Sequence, residues 1–327
     1  MKKVFALFIC LCLLASCGSS DIIATVGSTK ITKGEFEFYL SSIKSQLSGT
    51  ELNTDEDWQT QEIEGEKAIE VAKQRALEIA ALNAEYREAA KAQGINLTEQ
   101  EQQRVKSIKQ QVVSSYGGDA AYKEFLKNNN ITDRFMQLMC ESTVYYEKLA
   151  DKVKNEEPMG EAELLKYFED NKKSLETEYM KAKHILIMTK DPKSGQEFSE
   201  EELIAKKELA DEIFAQVKAG ADFDTLMKEY SEDPGLSTNP DGYVFSQGEM
   251  VPEFEDATES ISAGDITICK SDYGYHIIKR LPIEYSDIAD KVGEAAIREK
   301  VSAKLKEWEE EYNLTVKVNE ELIKTIK

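Results

Sequence analysis

The sequence predicts an α+β protein: a helical part, and a small domain built on an antiparallel sheet with surrounding helices. Three observations carry this. Between residues 33 and 174, apolar residues recur at helical spacing over several long stretches. From residue 179 the pattern becomes strand, helix, helix, short helix, strand, over about a hundred residues, the size of one small domain. Residues 284–323 then form one charged amphipathic helix. Its apolar stripe, from Ile288 through Val292, Ala296, Val301 and Leu305 to Trp308, needs a partner surface.

The elements follow in order. A strand-like run at 22–28 ends in a turn. Thr32 and Glu35 form a capping box that opens a helix bearing Phe36, Tyr39, Leu40 and Ile43. Residues 49–66 are polar and poorly periodic, and read as a loop or a frayed helix start. An alanine-rich helix over 67–92 stops at Gly94. Thr98 and Glu101 make a second capping box, and that helix ends at Gly117-Gly118. A short helix at 119–127 is followed by one from residue 133, with Phe135, Leu138, Met139, Val144, Tyr145 and Leu149 on one face. Residues 155–160 punctuate the chain before a helix at 161–174. The sheet region then has a β-type run at 182–188, helices at 200–219, 223–230 and 252–259, and a closing run at 276–281.

The 327 residues allow two or three domains, and 41% hydrophobic content is far above that of disordered chains. The formal net charge of −21 gives a surface that repels phosphate backbones and anionic headgroups. Nucleic acid is thereby excluded as a partner, and so is a polybasic membrane contact. The plain consequence of the charge is solubility. No Cys-x-x-Cys spacing and no Cys/His cluster occurs, so neither a metal nor a cofactor is expected. Cys140 and Cys269 fall in different regions and are not expected to pair.

The N-terminus is a targeting segment. Lys2 and Lys3 precede an apolar run at 4–14 and then small residues, which is the pattern of a cleaved signal. The run is too short to span a bilayer. Leu14-Ala15-Ser16-Cys17-Gly18 resembles the bacterial lipobox. The resemblance implies that 1–16 is a lipoprotein signal peptide and that Cys17 is acylated. Removing 1–16 also removes Lys2 and Lys3 and leaves a net charge of −23. Each buried CH2 contributes ~0.8 kcal/mol, so two or more acyl chains hold stably. The expected location is the cell membrane, lipid-anchored on its extracytoplasmic face.

Only two histidines occur, His184 and His276. They fall on the first and last strands of the same small unit. Such strands are often neighbours, so the pair is expected to share a cavity; the bland alternative for each is a structural histidine. Around them stand Lys-His-Ile-Leu-Ile at 183–187, Ala-Asp-Phe-Asp-Thr-Leu-Met-Lys-Glu-Tyr-Ser-Glu-Asp-Pro at 221–234, Phe-Ser-Gln-Gly-Glu-Met-Val-Pro-Glu-Phe-Glu-Asp-Ala at 245–257 and Tyr-Gly-Tyr-His-Ile-Ile-Lys at 273–279. In order and spacing these strings resemble the parvulin family of peptidyl-prolyl cis/trans isomerases over 178–283.

The resemblance implies a catalytic set of His184, Asp233 and His276. It implies a substrate site walled by Met250 and Phe254 and bordered by Phe245, with Tyr273 beside it. Burial there is expected to raise the Asp233 pKa. Two departures stand out. Gly242 replaces a leucine wall, with Tyr243 able to fill in, and Tyr273 takes the place of a serine or threonine ahead of the last histidine. Lys190 and Lys193 are balanced by Asp191 and Glu197, so ordinary X-Pro segments rather than phosphorylated ones are expected.

The opening strand and Thr-Lys-Ile-Thr-Lys-Gly-Glu-Phe-Glu-Phe-Tyr-Leu at 29–40 are similar to the N-terminal region of the SurA and PrsA foldases. The whole chain resembles a PrsA-type foldase lipoprotein. The implied organisation is a signal peptide at 1–16, a helical chaperone domain at 17–175, an inserted parvulin domain at 176–283, and a C-terminal helix at 284–327 packing on the N-terminal domain. The implied partners are unfolded or partly folded exported polypeptides with X-Pro bonds. Two other readings compete. One is a holdase with a weakly active or inactive parvulin unit, for which Gly242 and Tyr273 speak. The other is a solute-binding lipoprotein, against which the helical N-terminal half speaks. The clients, the host and the oligomeric state, a homodimer included, stay open.

Overall fold

The computed structural model describes residues 21–48 and 52–326. The signal peptide expected at 1–16 and Cys17 lie outside the described residues. The chain forms two compact units. The first joins the residues up to Pro158 with those from Ile297 onward, and the second is Met159–Ala296.

In the first unit, β1 (Ile22–Val26) turns through Gly27 into β2 (Thr29–Thr32). Gly27 sits at φ +52, and a Cβ there would meet Glu88 Oε2 at 2.7 Å. That carboxylate accepts hydrogen bonds from Ser28 and Thr29 and so ties the turn down. The Thr32–Glu35 capping box opens α1 (Lys33–Leu47), as the sequence predicts. The segment expected as a loop or a frayed helix start holds a short α2 (Asp55–Thr60) and the strand pair β3 (Glu62–Ile63) and β4 (Glu66–Lys67). A capping box between Thr54 and Asp57 starts α2, which is too short to show helical periodicity.

The central helix is α3 (Ala68–Ala92), against which α1, α2 and α6 pack. Ala72, Ala76, Ala80 and Ala84 recur every fourth residue on its buried face, and their small side chains admit close helix approach. Next come α4 (Glu99–Ser115), α5 (Asp119–Asn128) and α6 (Asp133–Glu156).

In the second unit, α7 (Glu161–Glu178) leads into β5 (Tyr179–Met188). Then follow α8 (Glu200–Lys218), α9 (Phe223–Tyr230), β6 (Tyr243–Ser246), α10 (Pro252–Glu259), β7 (Ile266–Lys270) and β8 (Gly274–Leu281). The sheet is antiparallel, in the order β6-β5-β8-β7. Strand alternation sends Ile185, Ile187 and Ile277 to one face, where they pack with Ile213 and Val217 of α8 and Phe223 and Leu226 of α9. Met180, Ala182 and Ile278 point to the other face, with Phe245 and Phe254.

The chain closes with α11 (Ala289–Tyr312), β9 (Lys317–Val318) and α12 (Glu320–Lys324). β9 pairs with β1, opposing Val318 to Ala24. Ile297, Val301, Leu305, Trp308, Val316 and Ile323 join the core that holds Ile23, Phe36 and Leu149. Burying a side chain of this size contributes roughly 1.5–3 kcal/mol. The C-terminal segment is thus part of the first core, and the sheet-bearing unit is an insertion.

The compact units divide at 158/159 and 296/297, whereas the sequence places the boundaries at 175/176 and 283/284. The difference lies in α7, whose Phe168 and Leu175 bury against Ile283, Ile288 and Val292. A helix shows its apolar stripe in the sequence but not the partner of that stripe.

Glu85 of α3 is 7% exposed, and its Oε1 accepts no hydrogen bond from the described residues. Burial, and after it the Glu309 carboxylate of α11, push its pKa from 4.5 up to about 7. Below pH 4.5 Glu85 is protonated in the folded and the unfolded chain alike. Between 4.5 and 7 the folded protein keeps a proton that the unfolded chain releases. This group therefore removes stability as pH rises through that window, up to roughly 3 kcal/mol in all, with no further change above it. Urea unfolding across pH 4–8 should show this loss as a stability gap between Glu85→Gln and wild type that widens as pH rises. The variant should be the more stable at pH 8.

Candidate active site

β5 and β8 place His184 opposite Ile278 and His276 opposite Leu186. The two histidines are therefore diagonal neighbours on one face of the sheet. Their Nδ1 atoms lie 3.1 Å apart, and the rings stack 9° from parallel with centroids 5.3 Å apart. Both are buried, at 9% and 4% exposure.

A continuous hydrogen-bond chain runs through the pair. His184 Nε2 lies 3.0 Å from Asp233 Oδ2. The Tyr243 hydroxyl donates to the same oxygen at 2.7 Å, and the Gly235 N–H donates to Oδ1 at 2.9 Å. At the other end, Ser271 Oγ stands 2.7 Å from His276 Nε2 and accepts from the Tyr273 N–H at 3.1 Å. With both rings neutral, one set of proton positions satisfies every contact. An ionised Asp233 only accepts, so the His184 proton is on Nε2. His184 Nδ1 then accepts from His276 Nδ1–H, and His276 Nε2 accepts from the Ser271 hydroxyl.

Electrostatics agrees with a neutral His276 and an ionised Asp233. Burial, and next the charge of His184, lower the His276 pKa from 6.5 to about 4. Burial alone would push the Asp233 carboxyl up. The hydrogen bonds from His184, Tyr243 and Gly235 together outweigh it and hold Asp233 at about 2. The expected rise is therefore corrected to a fall, because three donors converge on this carboxylate.

The segment before Asp233 is held as if it were a strand. β6 pairs with β5 only as far as Ala182. Beyond that, Leu186 N–H donates to Ser231 Oγ, Glu232 N–H donates to the Leu186 carbonyl, and Met188 N–H donates to the Glu232 carboxylate. This pairing sets Asp233 beside His184.

The apolar side of the site adjoins the rings. Phe254 meets His184 edge-on at 5.2 Å and His276 at 5.6 Å, and Phe245 lies 5.7 Å from Phe254. Met250 packs on the same cluster. The Glu255 carboxylate fixes its loop by accepting from the Gly248 and Met250 N–H groups.

Of the residues singled out from sequence, His184, Asp233 and His276 are thus in direct contact, and Phe245, Met250 and Phe254 lie in the adjoining cluster. Tyr273 is apart: it is 58% exposed on the turn between β7 and β8 and sends only its N–H toward the network. The hydroxyl expected to be lost to Tyr273 is supplied by Ser271, two residues earlier. The parts sequence reasoning missed are Ser271 and the Tyr243 phenol. The clue to the first was a serine two residues ahead of the string that carries His276, and the second directly follows the anomalous Gly242. Cys140 and Cys269 are free thiols. Cys269 stands opposite His276, and burial, then Glu253, push its thiol to about 11.

Residues 162–281 match the PPIC-type PPIase domain. The sheet-bearing unit is therefore a peptidyl-prolyl isomerase domain of the parvulin type. The chain that carries it is similar to foldases and chaperones named PrsA and SurA. It is 28% identical over 291 residues to Foldase protein PrsA of Caldanaerobacter subterraneus subsp. tengcongensis, covering 85% of this chain and 82% of that relative. It is 38% identical over 121 residues to Foldase protein PrsA of Geobacillus kaustophilus, covering 36% of this chain and 35% of the relative. It is 40% identical over 101 residues to Chaperone SurA of Burkholderia lata, covering 30% of this chain and 20% of the relative.

The low pKa of His276 has a measurable consequence. Above pH 6.5 the ring is neutral folded or unfolded, and its contribution to stability is complete. As pH falls from 6.5 toward 4, the unfolded chain binds a proton that the folded protein refuses, and up to roughly 3 kcal/mol is lost. Ring nitrogen NMR at pH 5.5 should show His276 neutral, with its proton on Nδ1. A ring titrating near 6.5 would contradict the network.

Proposed function

We propose that this protein catalyses cis/trans exchange at X-Pro bonds of exported polypeptides, with His184, Asp233 and His276 as the polar centre. The observation that carries the reading is the unbroken chain from Ser271 through both histidines to Asp233, laid along an aromatic wall. The uncatalysed barrier is ~18–20 kcal/mol, and exchange takes tens to hundreds of seconds. No bond breaks, so neither nucleophile nor metal is required. The site must bind the twisted amide better than either planar form. A rate gain of ~10^4 asks for only about 5.5 kcal/mol of differential binding.

Each group has a role in this reading. Met250, Phe254 and Phe245 take the proline ring. Asp233, facing His184 and accepting from Tyr243 and Gly235, orients His184 and contributes negative charge beside the amide; it does not attack. His276 and Ser271 fix the His184 tautomer. Tyr273, exposed at the turn, touches the client outside the proline pocket. The first unit holds the unfolded chain. Cys17, acylated, anchors the protein on the extracytoplasmic face of the membrane. Among the described residues no helix is long and apolar enough to cross a membrane.

A proline tetrapeptide assay tests the catalytic reading. Wild type should accelerate exchange, and Asp233→Ala should lower kcat/KM roughly ten- to a hundredfold, the worth of a hydrogen bond to a charged group. Exchange at the uncatalysed rate in wild type would leave only a holdase. The anchor is tested separately. Cys17→Ser should move the protein from the detergent phase to the aqueous phase on partition, and an unchanged distribution would refute lipidation.

A further inference from the structure

We propose that Tyr243 is a positioning residue of this site, and that Gly235 and Gly242 are the residues that let it act: the phenol pins Asp233 and, through it, His184. The catalytic part of this inference rests on the isomerase reading above; the geometric part does not.

Tyr243 opens β6 opposite Ala182, and Ala182 lies two residues before His184 on the same face of β5. The phenol therefore falls on the histidine side of the sheet. Its hydroxyl reaches Asp233 Oδ2 at 2.7 Å, and its ring meets His184 edge-on at 5.6 Å. Asp233 Oδ2 is thus shared between the phenol and His184 Nε2, and the two donors together set the rotation of the carboxylate.

The two glycines make room for this. Gly242 has φ +98, and a Cβ there would stand 2.7 Å from the Ala182 carbonyl oxygen. Only glycine lets the chain approach β5 so closely at that backbone angle. At Gly235 an added Cβ would lie 2.1 Å from the Tyr243 hydroxyl oxygen and 3.4 Å from Asp233 Oδ1. Any side chain at 235 therefore displaces the phenol. The same Gly235 supplies its N–H to Asp233 Oδ1. The glycine in place of a leucine wall and the tyrosine after it act together: one lost apolar side chain is exchanged for a hydrogen-bond donor on the catalytic carboxylate.

The titratable groups facing Asp233 are His184 on β5, Tyr243 on β6 and His276 on β8. Glu232, its neighbour in the loop, turns away to the Met188 N–H and to Lys206. Burial, and after it the hydrogen bond to Asp233, push the Tyr243 phenol up to about 12. It therefore stays a donor across the working range of pH.

Tyr243→Phe removes only the oxygen. In the full chain, carboxyl-carbon NMR of Asp233 should show its titration midpoint move up by roughly one pH unit. In the tetrapeptide assay kcat should fall about fivefold with KM nearly unchanged. Gly235→Ala should reproduce both effects by evicting the phenol. In the double variant G235A/Y243F nothing further should be lost, since the nearest ring carbon is 3.3 Å from the added Cβ. An unmoved Asp233 midpoint in Tyr243→Phe, or losses from the two substitutions that simply add, would overturn the proposal. If wild type fails to accelerate exchange, the isomerase reading falls, and the NMR titration still decides the geometry.

Discussion

Two imidazoles in contact on a buried sheet face set the terms for everything around them. Each ring carries two polar nitrogens, and a nitrogen left unpaired away from water costs about 1–3 kcal/mol. The Nδ1–Nδ1 contact satisfies one nitrogen on each ring. It also obliges the outer nitrogens to find partners of opposite character: an acceptor beyond His184 and a donor beyond His276. Asp233 and Ser271 are those partners. The direction of every hydrogen bond in the site follows from that one contact and from the acceptor-only carboxylate at its end.

The loops around the sheet answer the same demand by a common device, in which a carboxylate gathers backbone N–H groups. Asp233 takes Gly235, Glu232 takes Met188, and Glu255 takes Gly248 and Met250. Each such bond is charge-assisted and stronger than a neutral one. Between them they fix the strand substitute at 231–233, which carries Asp233, and the loop of Met250, which packs on the Phe245 and Phe254 cluster. A pocket that must favour a twisted amide over a planar one gains from this rigidity, since differential binding depends on groups that do not relax toward the ground state.

The first unit poses a different constraint. Its core is completed by residues from both ends of the chain, with β9 laid against β1 and Trp308 and Val316 sharing the interior with Phe36. Contacts between residues so far apart in sequence are slow to form, because the loop entropy must be met before they contribute. The buried Glu85 beside Glu309 sits within this closure, so the segment that completes the core also brings in its unfavourable charge.

Much of this was legible in the residues alone. The capping boxes at Thr32 and Thr98 opened helices where predicted, because a cap is a local hydrogen bond and needs no distant partner. The strings around the two histidines declared the class of the domain, and the scarcity of histidine marked the pair that the sheet brings into contact. The short α2 and the edge strand β7 escaped, since neither is long enough to show a period. What the fold alone decided concerns partners distant in sequence: α7 belongs with the sheet because Phe168 and Leu175 find Ile283 and Val292. Asp233 has its pKa lowered rather than raised because two side chains and one N–H meet on it, and the hydroxyl at His276 is Ser271 rather than a residue at 273. Residue type and local spacing declare which chemistry is present; which donor faces which acceptor is settled only by register and by the turns that bring the strands together.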